Sequence, residues 1–240
     1  MFSSIQGEGM LAGRRQIFVR LMECNLDCTY CDTDFKKSDV FRLESRPGSG
    51  LFLTLPLPLS CHEISETFDG WLSQLPGAHH SVSITGGEPL LHADMLAEWL
   101  PEIRKKLPIH LETNGTRHDA LRRVKQYVDY ISMDMKLPST AGCPEMLWDV
   151  HALFLREASG SNVSVKVVVG DHTTLDEIHR VCDIILSADA AVPLFLQPLS
   201  LSDDRVGITT AHLFRLQERA SSRLADVRVI PQMHKMLGAL

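Results

Sequence analysis

The fold is decided by residues 14–33, RRQIFVRLMECNLDCTYCDT, in which an apolar strand runs directly into three closely spaced cysteines. Cys24, Cys28 and Cys31 are three of the six cysteines in the 240-residue chain. The first ten residues contain neither the charged region nor the apolar region of a signal peptide. We therefore expect a cytoplasmic protein. In that reducing compartment, clustered cysteines bind metal or carry out redox chemistry more often than they form disulfides.

Composition excludes two classes of partner. The hydrophobic fraction of 44% is typical of a globular protein with a real core. The longest apolar run, LFLTLPLPLS at 51–60, is too short and too interrupted by proline to span a bilayer. A net charge of −6 provides no general basic field for nucleic acid. We therefore expect neither a membrane nor nucleic acid as a partner.

Strand and helix patterns alternate along the chain. Strands are predicted at 14–23, 81–85, 109–114, 127–136, 162–170, 192–199 and 226–231. Helices are predicted at 61–75, 90–107, 117–126, 145–159, 174–188 and 210–223. About seven strands separated by helices indicate an α/β fold with a parallel sheet.

Polar residues follow several of the predicted strands. They are the three cysteines, Thr85–Glu88, Thr113–Gly115, Asp134–Lys136 and Gln197. In parallel sheets and barrels, functional sites form where the strands end. These residues are therefore expected to surround one site.

Residues 36–60 interrupt the alternation of strands and helices. A basic start, the turn sequence RPGSG and a proline-rich apolar end predict an insertion within a single domain of residues 1–240. A solvated loop, a lid and a dimer contact are all compatible with this composition.

The cysteine spacing, Cys24-x3-Cys28-x2-Cys31, provides three thiolates from one short loop. A structural zinc site needs four ligands, usually in two separated pairs, and the other three cysteines are isolated, although a histidine could complete such a site. An ordinary [4Fe–4S] cluster takes one cysteine per iron. Three cysteines would leave one iron open to an added chelator.

This spacing resembles that of the radical S-adenosylmethionine (SAM) superfamily, and so does SITGGEPLL at 83–91. The resemblance implies an incomplete TIM-type barrel of mostly parallel strands. It also implies that SAM chelates the open iron and that reduction of the bound SAM gives a 5′-deoxyadenosyl radical. Gly86 and Gly87 allow a ligand to approach the backbone closely, and Glu88 suits the ammonium group of SAM.

Three further stretches narrow the resemblance: FSSIQGEGMLAGRRQIFVRL at 2–21, CDT at 31–33 and IPQMHK at 230–235. Over nearly the whole chain they resemble the 7-carboxy-7-deazaguanine synthase family of queuosine and 7-deazapurine biosynthesis. The resemblance implies a carbon–nitrogen lyase that converts 6-carboxy-5,6,7,8-tetrahydropterin to 7-carboxy-7-deazaguanine, with ring contraction and loss of ammonia. It further implies Mg²⁺, a homodimer and an electron donor such as flavodoxin or ferredoxin.

The resemblance also implies roles for individual residues, with no catalytic residue beyond the cofactor. The cluster ligands are Cys24, Cys28 and Cys31, and the Mg²⁺ ligand is Thr33. The implied cofactor contacts are Tyr30, Asp32, Gly87, Glu88, Ser132, Met133, Asp134 and Gln197. The implied substrate contacts are Ile5, Gln6, Gly7, Glu8, Arg20, Thr85 and His234.

Physical chemistry supports several of these roles. Gln6 and Glu8 can match the donor–acceptor edge of a pterin. Arg20 lies in an apolar strand, where an unpaired charge is costly, so either a substrate carboxylate or a neighbouring acid should pair with it. Strand-end polar residues often serve local hydrogen bonds, which makes weaker candidates of Glu112, Asn114, Lys136 and Lys166. Lys235 could add positive charge, whereas His79 and His80 are expected at the surface.

Two alternatives remain open from the sequence. A glycyl-radical-enzyme activase would use the same cysteines and Gly86–Glu88. It has no need of a pterin and magnesium set made of Gln6, Glu8, Arg20 and Thr33. A zinc-stabilised binding module would use the cysteines without catalysis. Product analysis with the carboxypterin distinguishes the synthase from an activase, which would form no deazaguanine. The metal in the purified protein, iron or zinc, distinguishes the synthase from a zinc-stabilised module.

Overall fold

The computed structural model describes residues 1–31, 39–144, 146–201 and 205–239. Its main sheet contains eight strands in the order β1-β2-β5-β6-β7-β8-β9-β10. These strands are β1 (Phe2–Ile5), β2 (Arg15–Leu21), β5 (Ser81–Gly86), β6 (Ile109–Thr113), β7 (Tyr130–Asp134), β8 (Val163–Val169), β9 (Leu194–Pro198) and β10 (Val227–Val229). All neighbours pair in parallel except β1, which runs antiparallel to β2.

Helices connect the parallel strands. They are α1 (Cys61–Gln74), α2 (Ala93–Arg104), α3 (His118–Val124), α4 (Pro138–Ala141), α5 (Leu147–Glu157), α6 (Leu175–Ala188), α7 (Thr210–Ser221) and α8 (Met233–Leu237). Capping boxes fix the starts of α1 and α6, because Ser60 and Thr174 each exchange hydrogen bonds with a glutamate three residues later. The local sequence therefore specifies where these two helices begin.

The parallel strands are apolar because both of their faces are covered. Strand β8 is buried at six of its seven positions, as expected for a strand with helices on one side and the barrel interior on the other. Within the described residues, β1 and β10 are the two edges of the sheet and do not pair with each other. The architecture is therefore the partial barrel that the sequence predicts.

Residues 40–56, within the predicted insertion, form a hairpin rather than a solvated loop. Strands β3 (Val40–Glu44) and β4 (Phe52–Pro56) pair antiparallel. Glu44 is fully buried, and its carboxylate accepts hydrogen bonds from the backbone N–H groups of Ser3, Gly48 and Gly50. The bond from Ser3 attaches the hairpin to β1, and the two bonds from the glycines hold the turn of the hairpin. The start of the predicted insertion lies outside the described residues.

The seven predicted strands and six predicted helices are all present, with shorter bounds except for β5, which extends one residue further, to Gly86. Sequence reasoning missed β1, the hairpin, α4 and α8, which are short and carry little periodic pattern. None of the helices in the described part of the chain has the length and apolar character needed to cross a bilayer.

Candidate active site

The cysteine loop begins where β2 ends, at one end of the parallel sheet. Cys24 and Cys28 are half-buried and Cys31 is exposed, and all three are free thiols. Within the loop, the backbone N–H of Cys31 donates to the carbonyl of Cys28 at 3.0 Å. The N–H of Leu26 donates to the sulfur of Cys24 at 3.4 Å. Local bonds thus turn the three thiols towards one cavity.

The Gly86-Gly87 pair packs directly against the start of this loop. A Cβ at Gly87 would lie 1.8 Å from the carbonyl oxygen of Glu23, and a Cβ at Gly86 would lie 2.0 Å from that of Leu21. The N–H of Glu88 donates to the Glu23 carbonyl at 2.9 Å. Only glycine fits at these two positions, because the β5 end and the cysteine loop touch through their backbones.

Helix α4 supports the other side of the cysteine loop. The N–H of Thr29 donates to the Ala141 carbonyl at 3.1 Å, and its hydroxyl donates to the Thr140 carbonyl at 2.6 Å. The sulfurs of Cys28 and Cys143 lie 4.0 Å apart. The loop is therefore attached to the segment that follows β7.

A cavity of about 210 Å³ lies at the carboxyl ends of the strands. Its lining includes the three thiols, Glu8, Tyr30, Thr85, Gly87, Glu112, Asn114, Ser132, Asp134, Lys136, Lys166, Gln197, Gln232 and Lys235. The cavity thus combines soft thiol donors with charged and amide groups, as a site for a polar small molecule requires.

Alternating charges form one wall of this cavity. The ammonium of Lys166 lies 2.5 Å from Oε2 of Glu8 and 2.9 Å from Oδ2 of Asp134. Lys136 approaches the same Asp134 oxygen to 2.9 Å and donates to the Tyr30 hydroxyl at 3.1 Å. The second oxygen of Asp134 is buried without a partner among the described residues. A buried acceptor of this kind is available to a ligand.

The pairing keeps this wall ionised. Burial raises the pKa of Asp134, but Lys136 and Lys166 more than offset it and bring that pKa to about 2. The pKa of Glu8 is likewise lowered, because the ammonium of Lys166 outweighs the effect of burial. Burial raises the pKa of Glu112, which lacks an equally close cation. The cavity therefore offers ionised carboxylates on one wall and a carboxyl that protonates more readily nearby.

The C-terminal segment closes one side of the cavity beside the N-terminal turn. Gln232 donates to Glu8 at 2.8 Å, and the N–H of Met233 donates to the Gly7 carbonyl at 3.0 Å. A Cβ at Gly7 would lie 2.0 Å from Nδ1 of His234. Gly7 is therefore required for the two ends of the chain to pack together.

Several of the predicted site residues have different surroundings from those expected. Met133 is fully buried in the core, because alternation along β7 turns its side chain away from the cavity that Ser132 and Asp134 line. Glu88 is also fully buried, and its carboxylate accepts from Leu90, Thr113 and Asn114. Neither side chain lines the cavity, and the predicted contacts of Met133 and Glu88 with the cofactor stay predictions.

Arg20 has different surroundings too, and its predicted contact with the substrate stays a prediction. It is exposed, and its guanidinium lies 5.1 Å from the centre of the Phe2 ring, outside the cavity lining. Because the guanidinium of Arg20 is exposed, its charge carries no burial cost and does not require a buried carboxylate as a partner.

The remaining predicted residues fall into two groups. Gln6 is buried beneath the cavity and Ile5 is half-buried at the end of β1. Asp32 and Thr33, predicted to contact SAM and Mg²⁺, lie outside the described residues.

The structure also brings in residues that sequence reasoning ranked low or missed. Glu112, Asn114, Lys136 and Lys166 line the cavity, as does Gln232, which was not singled out. His79 is buried and accepts or donates a hydrogen bond at the Ser3 hydroxyl, which corrects its surface prediction, and His110 and His151 are buried as well. Polar residues at alternate positions of otherwise apolar strands were the available signal.

The thiols fit an iron–sulfur cluster better than a single metal ion. Among the described residues, no three His, Cys, Asp or Glu side chains are close enough together to hold one ion. In an iron–sulfur cluster each thiolate binds a different iron, so the sulfurs line a cavity without meeting at a point. Burial raises the pKa of the Cys28 thiol to about 12, so iron binding would have to displace its proton.

Comparison with known proteins agrees with this geometry. The profile of the Radical SAM superfamily matches residues 21–185. The chain is 46% identical over 241 residues to the 7-carboxy-7-deazaguanine synthase of Geobacter sulfurreducens, covering 100% of this chain and 96% of that protein. It is 36% identical over 257 residues to the enzyme of the same name from Methanothermobacter thermautotrophicus, covering 99% and 95%.

Two solved structures are similar in fold at low sequence identity. Streptococcus suis SuiB, bound to its precursor peptide SuiA, gives a TM-score of 0.60 at 15% identity and covers 89% of this chain. This chain covers 48% of SuiB, about half of its length. A radical SAM methyltransferase from Sphaerobacter thermophilus gives 0.60 at 14% identity, over 90% of this chain and 65% of that one.

The partial barrel, the cysteine loop and the profile match together define a radical SAM protein. Within that superfamily, the chain belongs to the 7-carboxy-7-deazaguanine synthase family, since its similarity to two such synthases extends over its whole length.

Proposed function

We propose that this protein converts 6-carboxy-5,6,7,8-tetrahydropterin to 7-carboxy-7-deazaguanine, as a radical SAM carbon–nitrogen lyase. The observation that carries the proposal is one cavity that joins the three thiols to a wall of charged and amide groups. The chain is also similar, over nearly its whole length, to relatives that are named 7-carboxy-7-deazaguanine synthase.

Cys24, Cys28 and Cys31 would hold a [4Fe–4S] cluster, and the backbone at Gly86–Gly87 would form the adjoining surface for SAM. When bound, the cluster and SAM supply the radical chemistry of hydrogen abstraction. The protein then has to orient the two ligands and to keep water away from them. Ser132, the unpaired oxygen of Asp134 and Tyr30 line the cavity beside the thiols and are the groups best placed to orient SAM.

The part of the charged wall around Glu8 would bind the pterin. Glu8 is held by Lys166, Gln197 and Gln232, so its carboxylate has little freedom to move. The buried carbonyl oxygen of Gln197 has no partner among the described residues. A fixed carboxylate and an open amide acceptor suit the N–H groups of an aminopyrimidine ring. Lys235 adds positive charge for the carboxylate of the substrate.

Other parts of the proposal rest on the family alone. Thr33 would provide a neutral oxygen to Mg²⁺, leaving room for substrate oxygens and water. The protein would act as a homodimer in the cytoplasm and take electrons from a flavodoxin or ferredoxin.

The test is anaerobic turnover of the reconstituted protein with SAM, reductant, Mg²⁺ and the carboxypterin, followed by mass analysis. We expect 7-carboxy-7-deazaguanine from the natural chain and none from Cys28→Ala. Cys61→Ala is the matched control, because Cys61 lies on α1 away from the cavity. Cleavage of SAM without any deazaguanine product would reject the proposed substrate and favour an activase.

A further inference from the structure

We propose that Gln16 and His110 are positioning residues that hold the Ser132 hydroxyl as a hydrogen-bond donor towards SAM. This inference rests on the proposed binding of SAM in the cavity but not on the identity of the second substrate. It comes from a chain of buried side chains that runs beneath the cavity from the Gln6–Glu8 turn to the end of β7.

Gln6 is the first residue of this hydrogen-bonded series, and the orientation of its side-chain amide is fixed. The backbone N–H of Glu8 donates to Oε1 of Gln6 at 3.0 Å. A backbone N–H can only donate, so the facing side-chain atom is the oxygen. Nε2 of Gln6 then has two hydrogens, and it donates to Gln16 at 3.0 Å and to Glu112 at 3.1 Å. Both donors of the Gln6 amide are therefore used.

The orientation of Gln6 fixes that of Gln16. Oε1 of Gln16 is the acceptor for Gln6, so the NH₂ group of Gln16 faces the other way. That group donates to the Ser81 hydroxyl at 2.6 Å and lies 3.2 Å from Nδ1 of His110. Nδ1 lies farther from the Gln16 oxygen, at 3.4 Å. The Gln16 oxygen already accepts from Gln6, and one hydrogen of the Gln16 NH₂ group goes to Ser81. The second hydrogen faces Nδ1 of His110, so we infer that Nδ1 is an acceptor without a hydrogen of its own.

His110 is consequently the tautomer that carries its hydrogen on Nε2. The ring is fully buried, and burial, followed by the nearby His80, lowers its pKa to about 3. A neutral imidazole has one N–H, and the acceptor role of Nδ1 places it on Nε2. Nε2 lies 2.8 Å from the hydroxyl oxygen of Ser132, so His110 donates to Ser132.

Ser132 is the last member of the chain and lines the cavity. A hydroxyl oxygen that accepts from His110 has its own hydrogen available for another group. Ser132 lies on the cavity side of β7, on the same wall as Asp134. The hydrogen-bond chain therefore presents a donor rather than an acceptor to the ligand, which suits a ribose or carboxylate oxygen of SAM.

The tautomer is tested directly on the full natural chain, without any variant that might unfold. The ring nitrogens of ¹⁵N-labelled histidine report which nitrogen carries the hydrogen, and the His110 signals are assigned by their absence from His110→Gln. We expect the neutral Nε2–H form throughout pH 6–8. A His110 signal of the Nδ1–H form, or of a charged ring in that range, would overturn the proposal.

The functional role is tested by SAM binding to the reconstituted protein, measured by equilibrium dialysis without carboxypterin. His110→Leu removes the donor to Ser132, and we expect SAM affinity to fall about three- to tenfold, as for a lost neutral hydrogen bond. His110→Gln retains an N–H near the position of Nε2 and should restore most of the affinity. The result does not depend on whether the protein produces deazaguanine, so the two proposals can fail separately.

A double-mutant cycle separates positioning from a merely structural effect. If His110 acts through Ser132, then His110→Leu should cause no further loss of SAM affinity in a Ser132→Ala background. An equal loss in both backgrounds, or unchanged affinity in His110→Leu alone, would contradict the proposal. His79→Leu is the matched control, because His79 is also buried and also bonds a serine, Ser3, but lies outside the cavity lining. It should leave SAM affinity unchanged.

Discussion

At the scale of single residues, Gly87 determines whether the cysteine loop can lie against β5. Its missing side chain leaves room for the Glu23 carbonyl, and that carbonyl accepts from the N–H of Glu88. We expect Gly87→Ala to displace the loop, because the clash is with backbone rather than with a flexible side chain. Iron content after anaerobic reconstitution should fall at least severalfold.

The control for this change is Gly70→Ala on α1, where an added Cβ meets no atom within 4 Å. Alanine in a helix is more stable than glycine by about 0.5–1 kcal/mol, so this variant should bind iron normally and unfold at slightly higher urea. Normal iron content in Gly87→Ala would show that the close approach of the two backbones is dispensable.

Lys166 balances two half-buried carboxylates, those of Glu8 and Asp134. Lys166→Met should lower the free energy of unfolding by about 1.5–3 kcal/mol, because Glu8 loses its charged hydrogen-bond partner, whereas Asp134 keeps Lys136. Denaturation in urea measures this loss. Lys105→Met is the control, since the Lys105–Glu102 pair is exposed and should contribute about 0–1 kcal/mol.

The stability deficit of Lys166→Met should depend on pH. In the natural chain the pKa of Asp134 is lowered to about 2, so the stability it contributes is complete above about pH 4 and is lost as pH falls towards 2. Without Lys166, burial should raise the pKa of Glu8, and a protonated Glu8 costs less to bury than an ionised one. The deficit is therefore expected to be larger at pH 8 than at pH 5. A deficit independent of pH would contradict this account of the charged wall.

Thr33 is predicted from the family resemblance to bind Mg²⁺ through its hydroxyl. Thr33→Ala should shift the Mg²⁺ concentration needed for half-maximal turnover upwards by about tenfold, with an unchanged iron content. Titration of turnover with Mg²⁺ measures the shift, and an identical titration curve for the two proteins would exclude the role.

At the scale of elements, α4 follows β7 in the chain and holds the cysteine loop by hydrogen bonds. Thr29→Val removes the hydrogen bond from the Thr29 hydroxyl to the Thr140 carbonyl. A neutral hydrogen bond contributes about 1 kcal/mol, so we expect an anaerobic chelator to remove iron about fivefold faster. The midpoint of thermal unfolding should change little, because the bond lies at the edge of the fold.

Thr67→Val is the matched control for the α4 connection. Its hydroxyl donates to the Glu63 carbonyl on the exposed side of α1, at 2.9 Å. Iron release from this variant should match that of the natural chain. Equal rates for Thr29→Val and the natural chain would mean that α4 does not hold the loop.

The elements that the sequence could predict are those with a periodic pattern. The seven parallel strands are short, mostly apolar runs, and the six main helices have amphipathic spacing, so both types were identified. The β3–β4 hairpin was not, because its stability depends on the distant contact between Glu44 and the Ser3 backbone. Contacts across 41 residues leave no local signal in one sequence.

At the scale of the whole molecule, topology gathers the site. Parallel strands with helical crossovers bring their carboxyl ends to one edge, so the thiols, Gly87 and Asp134 meet although they are far apart in the chain. The sequence predicted this meeting from the strand ends. It could not establish which side chains point inwards, as Met133 and Glu88 illustrate, or that Gln16 and His110 form a hydrogen-bond chain between strands.

The central claim is that one cavity holds a cluster with an incompletely ligated iron and, beside it, SAM. The most direct measurement is electron paramagnetic resonance of the reduced, anaerobically reconstituted protein before and after SAM is added, together with iron and zinc analysis. We expect four irons per chain and a spectrum that changes on addition of SAM, with neither result in Cys28→Ala. A colourless protein with stoichiometric zinc, or a full cluster whose spectrum ignores SAM, would contradict the claim.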